Sequence, residues 1–120
     1  MNEPDSPQEV LMFPPQVPSV DPTQVPAEAS ILDVREIDEW EAGHIAGALH
    51  IPLAELPART GDLPEGDLYV ICRSGGRSAR AVGWLEQNGF DAVNVSGGMG
   101  AWQATGRDMV SETGEAPTVR

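Results

Sequence analysis

The only cysteine of the chain opens the run Cys72-Arg73-Ser74-Gly75-Gly76-Arg77-Ser78, and these residue types at this spacing suit attack by sulfur on an anionic substrate. Successive amide N–H groups in a loop that enters a helix point inward, and the helix dipole adds partial positive charge at the same place. A thiol seated there is held as thiolate: the ordinary thiol pKa of about 8.5 falls to roughly 3.5–7.5 in such surroundings, with Arg73 and Arg77 adding to the effect. The same cup accepts the oxygens of a small dianion. Nucleophile and anion site therefore share one loop.

Each residue also has a plainer reading. Free cysteine is among the most buried residue types, but the place of Cys72 before a loop of helix-entering amides favours a nucleophile over a structural thiol. Arg73 and Arg77 are either solvated loop charges or oxyanion ligands. Arg77 is the stronger ligand candidate, because it stands nearest the helix start, where a guanidinium can bind bidentately. Ser74 and Ser78 offer hydroxyls to the cup, with Ser78 as much a candidate helix N-cap as a ligand contact. Gly75 and Gly76 serve backbone shape, through positive φ and close approach of a ligand.

The elements that must position this loop are legible on either side of it. The apolar run Leu68 to Ile71 reads as a buried parallel strand that delivers Cys72 to its C-terminal edge. Ser78 to Gln87 has helical spacing, with Ala81, Val82 and Leu85 on one face and Asn88-Gly89 as its close. Further strands are expected at Gln16–Val20 (an edge, where proline is tolerated), Ser30–Val34, Ala48–Ile51 and Asp91–Val95. Helices are expected at Glu36–Ala42, stopped by Gly43, at Leu53–Arg59, and at Met99–Ala104 after the Gly97-Gly98 turn. Asp21-Pro22 starts a helix or turn that Pro26 keeps short, and Thr60–Asp67 reads as a loop.

Strands alternating with helices make an α/β fold, an open and mainly parallel sheet flanked by helices on both sides. In such sheets ligands sit outside the carboxyl ends of the strands, where Cys72 falls. Residues 1–15 hold four of the eleven prolines and read as a flexible lead-in, and 16–106 as the domain. The tail 107–120 lacks apolar periodicity and is expected to be disordered unless Met109 and Val110 pack back.

Composition excludes several function classes. With seven arginines, no lysine and nineteen acids, the net charge of −12 argues against nucleic acid or an anionic membrane surface as partner. Schiff-base chemistry has no lysine to use. One cysteine allows no internal disulfide, no C-x-x-C pair and no cysteine-based zinc site, and His44 and His50 have no acid cluster between them, so no metal is expected. The acidic start, Met1 to Asp5, is unlike a secretory segment, which makes cytoplasm the expected location. Against that acidic background Arg73, Arg77 and Arg80 gather near the one thiol. A small anionic substrate is the corresponding expectation.

The loop resembles the active-site loop of the single-domain rhodanese family, the thiosulfate sulfurtransferases. Asp33-Val34-Arg35-Glu36, followed by Glu39-Trp40-Glu41-Ala42-Gly43-His44-Ile45-Ala46-Gly47-Ala48 and Ile51-Pro52, is similar to that family's amino-terminal signature. Gly97-Gly98-Met99-Gly100-Ala101-Trp102 is similar to its carboxy-terminal one. The resemblance implies that Cys72 takes the outer sulfur of thiosulfate, releases sulfite, and passes the sulfur from a persulfide to cyanide or a thiol, with no cofactor. It also implies a supporting rather than catalytic role for Asp33, which together with Arg35 ends a neighbouring strand and can accept from loop amides or pair with an arginine. His44 is not used as a base in this family, and a structural hydrogen bond is expected of it. Trp40, Trp84 and Trp102 are expected to pack in the core or at its rim.

Two rivals are separable. Phosphatases and arsenate reductases on related folds use C-x5-R, whereas Cys72 to Arg77 is C-x4-R, the sulfurtransferase size. A sulfur-relay or sulfur-sensing module, loaded by a partner protein and handing sulfur to an acceptor protein, would carry the same loop. It differs in whether thiosulfate alone loads the thiol.

Overall fold

The computed structural model describes residues 17–120, so the lead-in over 1–15 and the expected strand start at Gln16 lie outside the described residues. Five strands, β1 (Ser19–Val20), β2 (Ser30–Asp33), β3 (Leu49–His50), β4 (Leu68–Ile71) and β5 (Ala92–Val95), form one sheet in the order β1-β5-β4-β2-β3. Every pairing is parallel. The helices are α1 (Ile37–Ala42), α2 (Gly76–Gln87) and α3 (Gly98–Ala104).

β4 lies in the middle of the sheet because its side chains are apolar on both faces. Leu68, Val70 and Cys72 join the cluster under α2, with Leu32, Val34, Ala81, Val82 and Leu85. Ile71 joins the cluster on the other face, with Val95, Met99 and Trp102, and partly buried Tyr69 packs there too. The period-2 alternation of a strand thus decides that Cys72 leaves the sheet toward α2.

The connections differ from expectation in ways the backbone explains. Leu53–Ala58 and Thr60–Asp62 are 3-10 turns, and Pro57 lies within the first of them, where it can donate no backbone hydrogen bond. Pro22–Gln24 is a single 3-10 turn capped by Asp21, whose carboxylate accepts from the Thr23 amide while Gln24 reaches back to the Asp21 amide.

The tail is placed on the domain. Val110 pairs with His44 in an antiparallel bridge, Met109 and Val119 pack against the α3-side cluster, and the Thr118 amide donates to the Ala42 carbonyl. Arg107 donates to the Pro22 and Val25 carbonyls at 2.7 and 2.9 Å while stacking over Trp102, 4.3 Å from the ring centroid. Isolated anchors of this kind leave no periodicity to read in the sequence. Among the described residues no helix is long and apolar enough to cross a membrane.

Candidate active site

Cys72 sits one residue beyond β4, at the C-terminal edge of the sheet, with only 1% of its surface exposed. The chain then turns through Gly75, whose φ of 110° belongs to the left-handed region that a glycine adopts without strain. That turn brings the Gly75 N–H back onto Cys72 Sγ at 3.0 Å, and the first turn of α2 brings the Ser78 hydroxyl to 3.3 Å from the same sulfur. Ser78 is fully buried in the first turn of α2, so it does not act as N-cap; Gly75 holds that position. Gly76 is already helical and needs no positive φ. Ser74 and Arg73 are exposed, and the Ser74 amide adds to the stabilisation of the sulfur anion.

The loop is held from behind by α3. The Met99 amide donates to the Cys72 carbonyl at 2.8 Å and the Gly100 amide to the Arg73 carbonyl at 3.1 Å. This approach requires glycine at 98, since a Cβ there would collide with the Cys72 and Arg73 backbone. The Gly97-Gly98 pair of the sequence is therefore part of the cup's rear wall.

Burial pushes the Cys72 thiol up, but the Ser78 hydroxyl and the amides of Ser78, Gly75 and Ser74 outweigh it and leave the thiol below its ordinary value. Stabilisation of the anion accordingly sets in at a pH below the ordinary thiol range. Alkylation of Cys72 by iodoacetamide should titrate with a midpoint below the roughly 8.5 of a free thiol. Ser78→Ala, which removes one of these donors, should raise that midpoint measurably; an unchanged midpoint would deny the hydroxyl its role.

Asn94 on β5 is a participant that sequence reasoning missed. Its Oδ1 accepts from Ser78 Oγ at 2.6 Å, and Ser78 Oγ also lies 3.2 Å from the Gly75 carbonyl. A hydroxyl has one proton, so donation to the sulfur competes with donation to Asn94. A half-turn of the Asn94 carboxamide would present its NH2 to Ser78 Oγ and free the hydroxyl proton for the thiolate. The available signal was parity: Ala92 and Asn94 share the strand face that points toward α2, and a polar residue in that apolar strand needs a partner.

Asp33 and Arg35 are both fully buried and pair with each other, Arg35 Nη2 and Nε donating to the Asp33 carboxylate at 2.8 to 3.1 Å. Arg35 spends its remaining donors on the Glu39 and Gly43 carbonyls. The pair thus fixes α1 and does not touch the cup directly. α1 in turn brings Glu39 to Arg77, which donates from Nη1 and Nη2 to the two carboxylate oxygens, each at 2.8 Å. That bidentate pair, against a smaller opposing effect of burial, holds the Glu39 carboxyl at about 2. Arg73, the other loop guanidinium, donates from Nε to the Arg120 backbone oxygen at 2.8 Å.

His44 lies away from the sulfur chemistry, with Nδ1 against the Ile45 carbonyl, Nε2 against Glu112 at 2.9 Å and its ring stacked on Trp40. A groove of about 520 Å³ that includes Ala29, Ile31, Ala48 and Trp102 borders the N-terminal ends of β2 and β3, opposite the edge that carries Cys72. No group of three or more His, Cys, Asp or Glu side chains suited to a metal is present among the described residues.

Comparison with known proteins then decides the family, since the model of the rhodanese-like domain matches residues 21–105. The chain belongs to the rhodanese-like domain family. It is 49% identical over 75 residues to YrkF, a provisionally named sulfur carrier protein of Bacillus subtilis, covering 61% of this chain but only 40% of that protein. With a protein of Allochromatium vinosum named sulfurtransferase it shares 36% identity over 86 residues, 70% of this chain and 80% of the relative. The crystal structure of a rhodanese-related protein from Thermoplasma volcanium superposes with a TM-score of 0.73 at 35% identity, covering 78% of this chain and 97% of that one. The family match over residues 21–105 takes in β2 to β5 and all three α-helices, and begins just after β1. Cys72, the one cysteine of the chain, thus stands at the C-terminal edge of the parallel sheet of a rhodanese-like domain.

Proposed function

We propose that this rhodanese-like domain is a sulfurtransferase that carries sulfane sulfur as a persulfide on Cys72. The observation that supports it most is the seating of Cys72 Sγ against the Gly75 amide and the Ser78 hydroxyl at the carboxyl edge of β4. In the first step the Cys72 thiolate attacks the outer sulfur of a donor. With thiosulfate, the new Sγ–S bond forms as the S–S bond of the donor breaks, sulfite leaves with the electron pair, and Cys72–S–S⁻ remains. A thiol or cyanide acceptor then attacks the terminal sulfur, forming thiocyanate in the case of cyanide, and returns Cys72 to thiolate. No electrons enter or leave, so the sequence needs no redox cofactor.

The cup suits the loaded state as well as the empty one, because amides that stabilise a thiolate also stabilise the anion one sulfur further out. Arg73, Ser74, Gly75, Gly76, Arg77 and Ser78 are the candidate substrate-facing residues, and Asp33 and Arg35 the support of α1. Covalent transfer predicts ping-pong kinetics: varying donor at several fixed cyanide concentrations should give parallel double-reciprocal lines. Intersecting lines would point to direct transfer in a ternary complex instead. A second reading, a relay module loaded by a partner protein and serving an acceptor protein, draws on the similarity to YrkF. It predicts the same persulfide but little turnover with free donors.

A further inference from the structure

Among the loop's guanidiniums, Arg77 was the expected oxyanion ligand, yet both of its terminal nitrogens face the carboxylate oxygens of Glu39 at 2.8 Å. Glu39 is well placed to hold this pair. Its backbone carbonyl is fixed by Arg35, its Oε1 also accepts the Glu36 amide, and its side chain is only 14% exposed. A free dianion has two ways to reach Arg77, and both are unfavourable. It can displace a bidentate, partly desolvated carboxylate, or it can bind beside that carboxylate and meet its charge. Arg73 does not take over the task without cost, since its Nε is directed at the Arg120 backbone oxygen. Glu36, Asp38 and Glu41 add negative charge along α1, on a chain whose net charge is −12.

We propose that Glu39 is a specificity-determining residue, which by neutralising Arg77 turns the site from inorganic sulfur dianions toward the persulfides of thiols as donors. The inference rests on the sulfurtransferase reading above and names its donor class. A persulfide asks less of the guanidinium. Cys72 thiolate attacks the terminal sulfur of R–S–SH, the Sγ–S bond forms, the S–S bond of the donor breaks, and R–S⁻ leaves with the electron pair and a single charge. The terminal sulfur carries its proton to Cys72–S–SH, which ionises in the amide cup. The amides and Ser78 serve this transfer with no oxyanion to bind. The leaving thiolate, with one charge, is repelled less by the Glu39 carboxylate on Arg77 than departing sulfite would be.

The test compares second-order rates of Cys72 loading, read by intact mass, for thiosulfate and for 2-aminoethyl persulfide, in the wild type, Glu39→Gln and Glu41→Gln. The wild type should load from the persulfide at least about 100-fold faster, and its thiosulfate rate should rise with ionic strength as repulsion is screened. Glu39→Gln should raise the thiosulfate rate about 10-fold or more and leave the persulfide rate within about 2-fold, since Arg77 is released while the cup is untouched. Glu41→Gln removes the same charge from an exposed site on α1 and should change neither rate beyond about 2-fold. Equal wild-type rates for the two donors would overturn the inference, and this comparison needs no variant to fold. A thiosulfate rate that fails to rise in a folded Glu39→Gln would overturn it as well. Failure of both donors to load wild-type Cys72 would instead remove the sulfurtransferase reading, and the inference with it.

Discussion

Replacing Cys72 by serine should lower sulfur transfer by at least about 10³-fold and leave the domain folded. The size of the loss follows from what the loop supplies. Its donors stabilise an anion on the side chain of residue 72, but among the described residues no histidine or carboxylate is hydrogen-bonded to that side chain to take a proton from a hydroxyl. A serine there stays protonated at neutral pH and is a poor nucleophile toward sulfur. Stability should change by only about 1 kcal/mol, because the Gly75 amide and Ser78 can hydrogen-bond an oxygen in the same place. Steady-state transfer to cyanide, with a thermal melt of each protein, checks both halves. Residual activity within 10-fold of wild type would mean that the sulfur does not pass through residue 72.

The second large effect concerns stability rather than chemistry. Arg35→Met leaves the Asp33 carboxylate buried with its guanidinium partner gone, and the carbonyls of Glu39 and Gly43 lose their donors. Stranding one member of a buried ion pair costs about 3–5 kcal/mol. For a domain of this size that corresponds to a fall in Tm of about 12 °C or more. The double variant Asp33→Leu, Arg35→Met should recover most of the loss, since an apolar pair removes the stranded charge. Denaturant unfolding of the single and double variants measures it. A single-variant loss below about 1 kcal/mol would show that water reaches Asp33 and that the pair does not anchor α1.

The sheet and the place of Cys72 at its edge were legible because local pattern determines them. Leu68 to Ile71 is apolar on both faces, which fits a central strand, and the same alternation carries Cys72 to the α2 side. Gly75 could be read as a turn residue before its φ was known. Ser78 was ambiguous, because a serine near a helix start serves equally as a cap or as an inward donor. The choice depends on where the helix begins, and α2 begins two residues earlier than its apolar spacing indicates.

What stayed hidden depends on contacts across long sequence separations. Glu39 meets Arg77 across 38 residues, and nothing in either segment singles out the other. That contact changes the reading of the site more than any other, since it gives the expected oxyanion ligand a carboxylate of its own. Asn94 reaches Ser78 only because β5 lies beside β4 with this register. The tail depends on single anchors, Met109, Val110 and Thr118, which show no period.

A persulfide on Cys72 is best sought by intact mass after the reduced protein is incubated with a sulfane-sulfur donor and no acceptor. With 2-aminoethyl persulfide, or with thiosulfate at high concentration, the wild type should gain one sulfur, about 32 Da, that cyanide then removes. The Cys72→Ser variant should gain nothing. No gain on the wild type with either donor, or an equal gain on the variant, would contradict the account.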